Sequence, residues 1–146
     1  MLTFNYIQDV PSTVHHDEKI KVVYVAPNAE AVIKEIGADF ESMQDAVGGS
    51  LEIYAPFADP ICFICNRDGM LRGLPPSRLI ADKDGNIIGS IAGSFFICDY
   101  SKGIFNSLPD EQLNRYSKLI NAPEFFTKLN GKIVVFRKTG DCFGKE

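Results

Sequence analysis

Histidine, cysteine and long apolar runs are scarce in this sequence, and each scarcity excludes a class of function. His15 and His16 are the only imidazoles, side by side in the polar stretch PSTVHHDEK. Neither has a partner at metal-ligand spacing, so they read as solvated side chains. A Gly-x-Ser-x-Gly elbow, a phosphate loop ending in Gly-Lys-Ser or Gly-Lys-Thr, and His-Glu-x-x-His are all missing. The carboxylates are scattered over expected turns and helix faces, where they assemble no acid-base pair. The chain is therefore read as non-enzymatic, with no catalytic residue, metal ligand or cofactor expected. The four cysteines are Cys62, Cys65, Cys98 and Cys142. Cys62 and Cys65 form a Cys-x-x-Cys pair inside the apolar run ICFIC, but a strand sends side chains three apart to opposite faces. With no second close pair, free thiols are expected rather than zinc or redox chemistry.

No apolar stretch approaches the roughly 18 residues that suggest a membrane-spanning helix. The start, MLTFNYIQDV, lacks the basic region and apolar core of a secretory leader. A cytoplasmic location without a membrane partner is the expectation. Basic charge is also in deficit. Fifteen Lys and Arg against 19 Asp and Glu give a formal charge of -4, which supports solubility and supplies no basic stripe for direct nucleic-acid binding.

What is present is the composition of a globular protein: 146 residues, 45% hydrophobic and 23% charged, enough for one core. The organisation expected is an N-terminal extension (1–19), a single α+β domain (20–140) and a polar tail (141–146). IKVVYVA, β-branched and apolar on both faces, reads as a central strand ended by Pro27. Asn28 is placed to cap a helix whose stripe is Val32, Ile36, Phe40, Met43 and Val47, with Gly48-Gly49 at its exit. SLEIYAPF reads as a strand. ICFIC reads as another, joined by Asn66-Arg67-Asp68-Gly69 to a returning strand. A second turn lies at Asp82 to Gly85, and a calcium loop is disfavoured there because the ligand ladder and closing glutamate are absent. The glycine-punctuated run that follows reads as a strand pair or a long strand, with Gly89 and Gly93 marking a bulge or a close backbone approach. Ser107 and Asp110 stand at capping-box spacing ahead of a second helix with Leu113, Tyr116 and Ile120 buried. Pro123 stops it, Asn130-Gly131 turns, and KIVVFRK closes the sheet. The order β-α-β-β-β-α-β predicts a mostly antiparallel sheet with two helices on one face.

The most unusual segment runs from Asn66 to Ser94. Arg67, Arg72 and Arg78 flank the rigid Gly73-Leu74-Pro75-Pro76 stretch, and Ser94 adjoins Gly93. Arginine forks match phosphate and carboxylate oxygens, and prolines fix a loop before binding. Asn66, Arg67, Arg72, Pro75, Arg78 and Ser94 are therefore the candidate ligand-binding residues, for an anionic small molecule or an acidic protein surface. The competing reading makes these arginines surface charges around turns. Sheet edges that need cover favour a homodimer or higher homo-oligomer.

The pieces VVYVAPN (22–28), ESMQDAVGGSLEIYAPF (41–57), ICNRDGMLRGLPPSR (64–78) and IAGSFFI (91–97) together resemble a small domain family of unknown function encoded by phages, plasmids and conjugative elements, chiefly of Gram-positive bacteria. The family pattern has asparagine where this chain has Ser77. The resemblance carries no activity. It implies an accessory gene of a mobile element, and with it three readings: a counter-defence protein that sequesters an anionic nucleotide-like signal, a module that inhibits or redirects a host protein, or a small nucleotide hydrolase. An exposed apolar patch without convergent arginines would favour the second.

Overall fold

The computed structural model describes residues 18–82, 84, 86–120, 124–129 and 132–137. The readings made for His15 and His16, the rest of the N-terminal extension up to residue 17, Pro123, Asn130-Gly131, Cys142 and the tail fall outside them.

β1 (Lys19–Val25) forms where expected, because Val22, Val23 and Val25 are β-branched and fully buried. The chain then turns at Ala26 to Ala29, with Asn28 at φ 62° in the left-handed region that asparagine tolerates. Asn28 thus makes a hairpin turn rather than a helix cap. The expected first helix is corrected accordingly: its front half is β2 (Val32–Gly37), paired antiparallel with β1 from Lys19 opposite Gly37 to Tyr24 opposite Val32. Only α1 (Phe40–Val47) is helical. Its true start is Asp39, whose carboxylate accepts from Ser42 N and Ser42 Oγ, each at 2.8 Å. Gly48, at φ 80°, closes it.

β3 (Leu51–Tyr54) and β4 (Ile61–Asn66) follow as antiparallel neighbours. No strand returns from the turn after Asn66; residues 67–74 coil into a compact loop, which corrects the expected hairpin. β5 (Pro76–Ala81) and β6 (Ile87–Ala92) make the second hairpin as expected, with Asp82 Oδ1 accepting from Asp84 N and Asn86 N, both at 2.9 Å. β7 (Phe95–Asp99) inserts between β1 and β4, giving a five-stranded antiparallel sheet in the order β2-β1-β7-β4-β3. α2 (Asp110–Leu119) buries Leu113 and Tyr116, with Ile120 just beyond its end, as the periodicity predicted. Its cap differs. Ser107 Oγ accepts from Lys21 N at 2.9 Å instead of closing a capping box, and Pro109 stands at the N-cap without a side-chain bond. β8 (Glu124–Leu129) and β9 (Lys132–Arg137) form a separate antiparallel pair, so KIVVFRK, expected to close the sheet, pairs with β8 instead of joining the five strands.

The helices do not share a face. Val23, Val25, Phe63, Cys65, Phe95 and Ile97 point to one side, where Leu113 and Tyr116 of α2 and Ile80 and Ile91 of the β5-β6 hairpin cover them. Val22, Cys62, Ile64, Phe96 and Cys98 point to the other, under Met43 and Val47 of α1. A sheet buried on both sides explains why β4 and β7 are apolar without alternation. Among the described residues no helix is long and apolar enough to cross a membrane.

Candidate functional site

The segment singled out in the sequence becomes the loop between β4 and β5. Its root is Asn66, whose buried side chain donates from Nδ2 to Val47 O (3.2 Å) and accepts Asp68 N on Oδ1 (2.9 Å). One residue thereby ties the loop to the end of α1 and starts its turn. Arg67 N donates to Ser50 O (2.8 Å), Arg72 N to Asp68 O (2.8 Å) and Leu74 N to Gly69 O (2.9 Å). Two glycines let the loop seat against the β6-β7 connection. A Cβ on Gly69 would lie 2.8 Å from Ala92 O, and one on Gly93, at φ 84°, 2.8 Å from Leu74 Cδ1. Gly93 N donates to Pro75 O at 2.8 Å, fastening the far end.

This pinned loop holds its tip in solvent. Met70 is 68% and Leu71 89% exposed, while Arg67 and Arg72 on either side are also exposed. Arg72 Nη1 reaches Gly48 O at 3.4 Å, where a cation meets the free carbonyls at the C-terminal end of α1. Beside it lies an open depression of about 520 Å³ lined by Gln44, Asp45, Gly48, Gly49 and Ser50.

Of the candidate residues, the fold therefore brings Asn66, Arg67 and Arg72 to one region, with Pro75 exposed at the loop's end and Ser94 half-buried before β7. Arg78 is elsewhere. It is 1% exposed in β5 on the α2 side of the sheet, and donates from Nε to Ile120 O (3.0 Å), from Nη1 to Ser77 O (2.9 Å) and from Nη2 to Ala29 O (2.6 Å). The three arginines do not converge.

A second polar cluster was not anticipated. Asp59 Oδ2 accepts from Tyr116 Oη (2.7 Å) and Arg115 Nη2 (2.8 Å), Phe57 stacks on the Tyr116 ring, and Glu111 pairs with Arg115. The Tyr116 hydroxyl holds the Asp59 carboxyl below its ordinary range against an opposing push from desolvation, with the Arg115 guanidinium adding to the lowering. Burial and the Asp59 hydrogen bond push the Tyr116 phenol up. Burial pushes up the Tyr54 phenol and the Cys65 and Cys98 thiols. At neutral pH these shifts hold the two phenols and two thiols in their resting, protonated state and the Asp59 carboxylate in its resting, ionised state. Among the described residues no three His, Cys, Asp or Glu side chains gather as a metal site.

No curated protein and no solved structure matches the chain. A family model described as a domain of unknown function (DUF3846) matches residues 20–121, from β1 to just past α2 and well over half of the chain.

Proposed function

We propose, from the premise that the chain belongs to the DUF3846 family, that it is a protein-interaction module whose β4-β5 loop docks on an acidic, apolar-pocketed surface of a partner protein. The observation that carries this reading is the exposure of adjacent Met70 and Leu71 at the tip of a loop fastened at both ends. Single exposed apolar residues are ordinary. Two together on a preorganised loop are different, because the ordering cost of binding is already met and a methionine adapts to the pocket it enters. Arg67 and Arg72 at the margin supply the charge that steers toward an acidic rim.

A sequestering pocket for an anionic nucleotide-like signal has less support. Arg78 is engaged inside the core, and the depression beside Arg72 carries Asp45 and the negative end of α1. Support for binding over hydrolysis comes from the resting protonation states described above. The mobile-element setting implied by the resemblance makes a host protein the expected target and counter-defence the expected use.

The test compares capture from host lysate by the immobilised full chain and by Met70→Asp/Leu71→Asp. We expect one protein to be retained by the wild type and lost by the double variant, with affinity down at least about tenfold and an unchanged melting temperature. Equal capture by both chains would refute the loop as the docking element. Stoichiometric release of a nucleotide from the denatured wild type would favour sequestration instead.

A further inference from the structure

Cys62 and Cys98 are not the pair suggested by sequence spacing, yet the sheet sets them directly opposite each other. They are register partners on β7, the central strand of the sheet, and its neighbour β4, and both side chains lie in the layer under α1. Cys65, three residues from Cys62, points into the opposite layer. The two thiols are 1% and 0% exposed. Directly opposed residues of an antiparallel pair have Cα atoms about 4.5 or 5.5 Å apart, and a disulfide spans Cα separations of about 4.4–6.8 Å. Bridging them therefore requires no strand movement.

We propose that Cys62 and Cys98 are a latent staple, a dithiol that becomes a native cross-strand disulfide when the chain folds under oxidising conditions. With oxidised glutathione as the oxidant, one cysteine thiolate attacks its disulfide and releases one glutathione thiolate. The second cysteine thiolate then attacks the mixed disulfide and releases the other. Two protein thiols are oxidised, glutathione disulfide is reduced to two thiols, and the two protein protons pass to the departing thiolates or to solvent. In the folded chain the reaction is slow for two reasons. No oxidant reaches residues at this depth, and burial, with the neighbouring Cys62 thiol adding to it, holds the Cys98 thiol protonated. The bond therefore forms during folding or through an opening that separates β7 from α1. Once formed, it fixes the strand pair on which the sheet is centred.

The experiment uses the full chain, refolded from denaturant once with reduced and once with oxidised glutathione, then freed of glutathione. Intact mass and peptide mapping should show the loss of two hydrogens and a Cys62-Cys98 link in the oxidised sample, with Cys65 and Cys142 still free. The oxidised sample should have an unchanged circular dichroism spectrum and a raised melting temperature that returns to the reduced value with a strong reductant. Native protein given the same oxidant should react at a rate that stops rising with glutathione concentration. Cys142→Ser should leave this result unchanged. Four free thiols after oxidative refolding to the native spectrum, a link through Cys65 or Cys142, or a bridged chain that melts no higher would overturn the proposal.

Discussion

Arg78→Ala is the substitution that separates a structural arginine from a ligand-binding one. The guanidinium is buried and joins three places far apart in the chain: its own strand at Ser77, the end of α2 at Ile120 and the β1-β2 turn at Ala29. Removing it strands at least the two carbonyls that lie outside β5. Hydrogen bonds from charged donors contribute about 1.5–3 kcal/mol each. Losing the two that leave the strand should therefore cost about 3–6 kcal/mol, before any cavity left by the truncated side chain is counted. Against a whole-domain stability of roughly 5–15 kcal/mol, that is a large fraction. Urea unfolding followed by far-ultraviolet circular dichroism should show the midpoint falling steeply at an unchanged slope. Arg78→Lys should recover only part of the loss, because an ammonium cannot span carbonyls set in a planar fork. A cost below about 1 kcal/mol would refute the strut. If Arg78→Lys, still folded at the assay temperature, abolished binding, Arg78 would return to the ligand site.

Two further perturbations test the packing. Asp59 has a folded-state pKa below its unfolded value, so the stability it contributes is present above the unfolded pKa of about 3.9 and is lost as pH falls through the folded pKa. Tyr116→Phe removes the main cause. Thermal melts should show it below the wild type at pH 7 and closer to it at pH 3; a gap that did not narrow would place the effect of Tyr116 in its ring packing alone. A Cβ on Gly89 would run into the Tyr54 hydroxyl, which donates to Ile88 O at 3.4 Å. Gly89→Ala should lower stability by about 1–3 kcal/mol, and Tyr54→Phe on that background should restore part of it. Independent, additive effects of the two substitutions would show that the contact is not what limits this position.

The parts of the fold that were legible in the sequence are those where one physical requirement dominates. IKVVYVA and ICFIC read as strands because burial on both faces demands continuous apolar residues, and Leu113, Tyr116 and Ile120 read as a helical stripe because only one side of α2 is covered. The first helix is shorter than its sequence pattern predicts because Val32, Ile36, Phe40, Met43 and Val47 happen to fall at helical spacing. Val32 is 48% and Phe40 46% exposed, however, so nothing selected those two for burial. β2 is an edge strand whose first four residues are exposed on both faces, with only Ile36 buried, and such a strand carries no alternation to find. The β-branched run of Val32, Ile33 and Ile36 and the cap at Asp39 were the available signals. At the site, the loop and the link between Asn66 and its neighbours fell in the segment the sequence marked out. Arg78 looked like a loop charge, although it shares a strand face with the buried Ile80, two residues on. The Asp59-Tyr116 and Cys62-Cys98 pairs depend on a strand order that no local pattern encodes.

That order has a consequence for synthesis. β7 is the last strand of the five-stranded sheet to leave the ribosome, yet it occupies the middle place, between β1 and β4. Until residues 95–99 emerge, the five-stranded sheet can exist only as two separate hairpins, β1-β2 and β3-β4, whose β1 and β4 edges await the same partner. Such edges invite pairing with another nascent chain. A chain stalled before Phe95 therefore carries an aggregation-prone pair of half-sheets, and one five-residue strand joins them into the single sheet that α2 then covers.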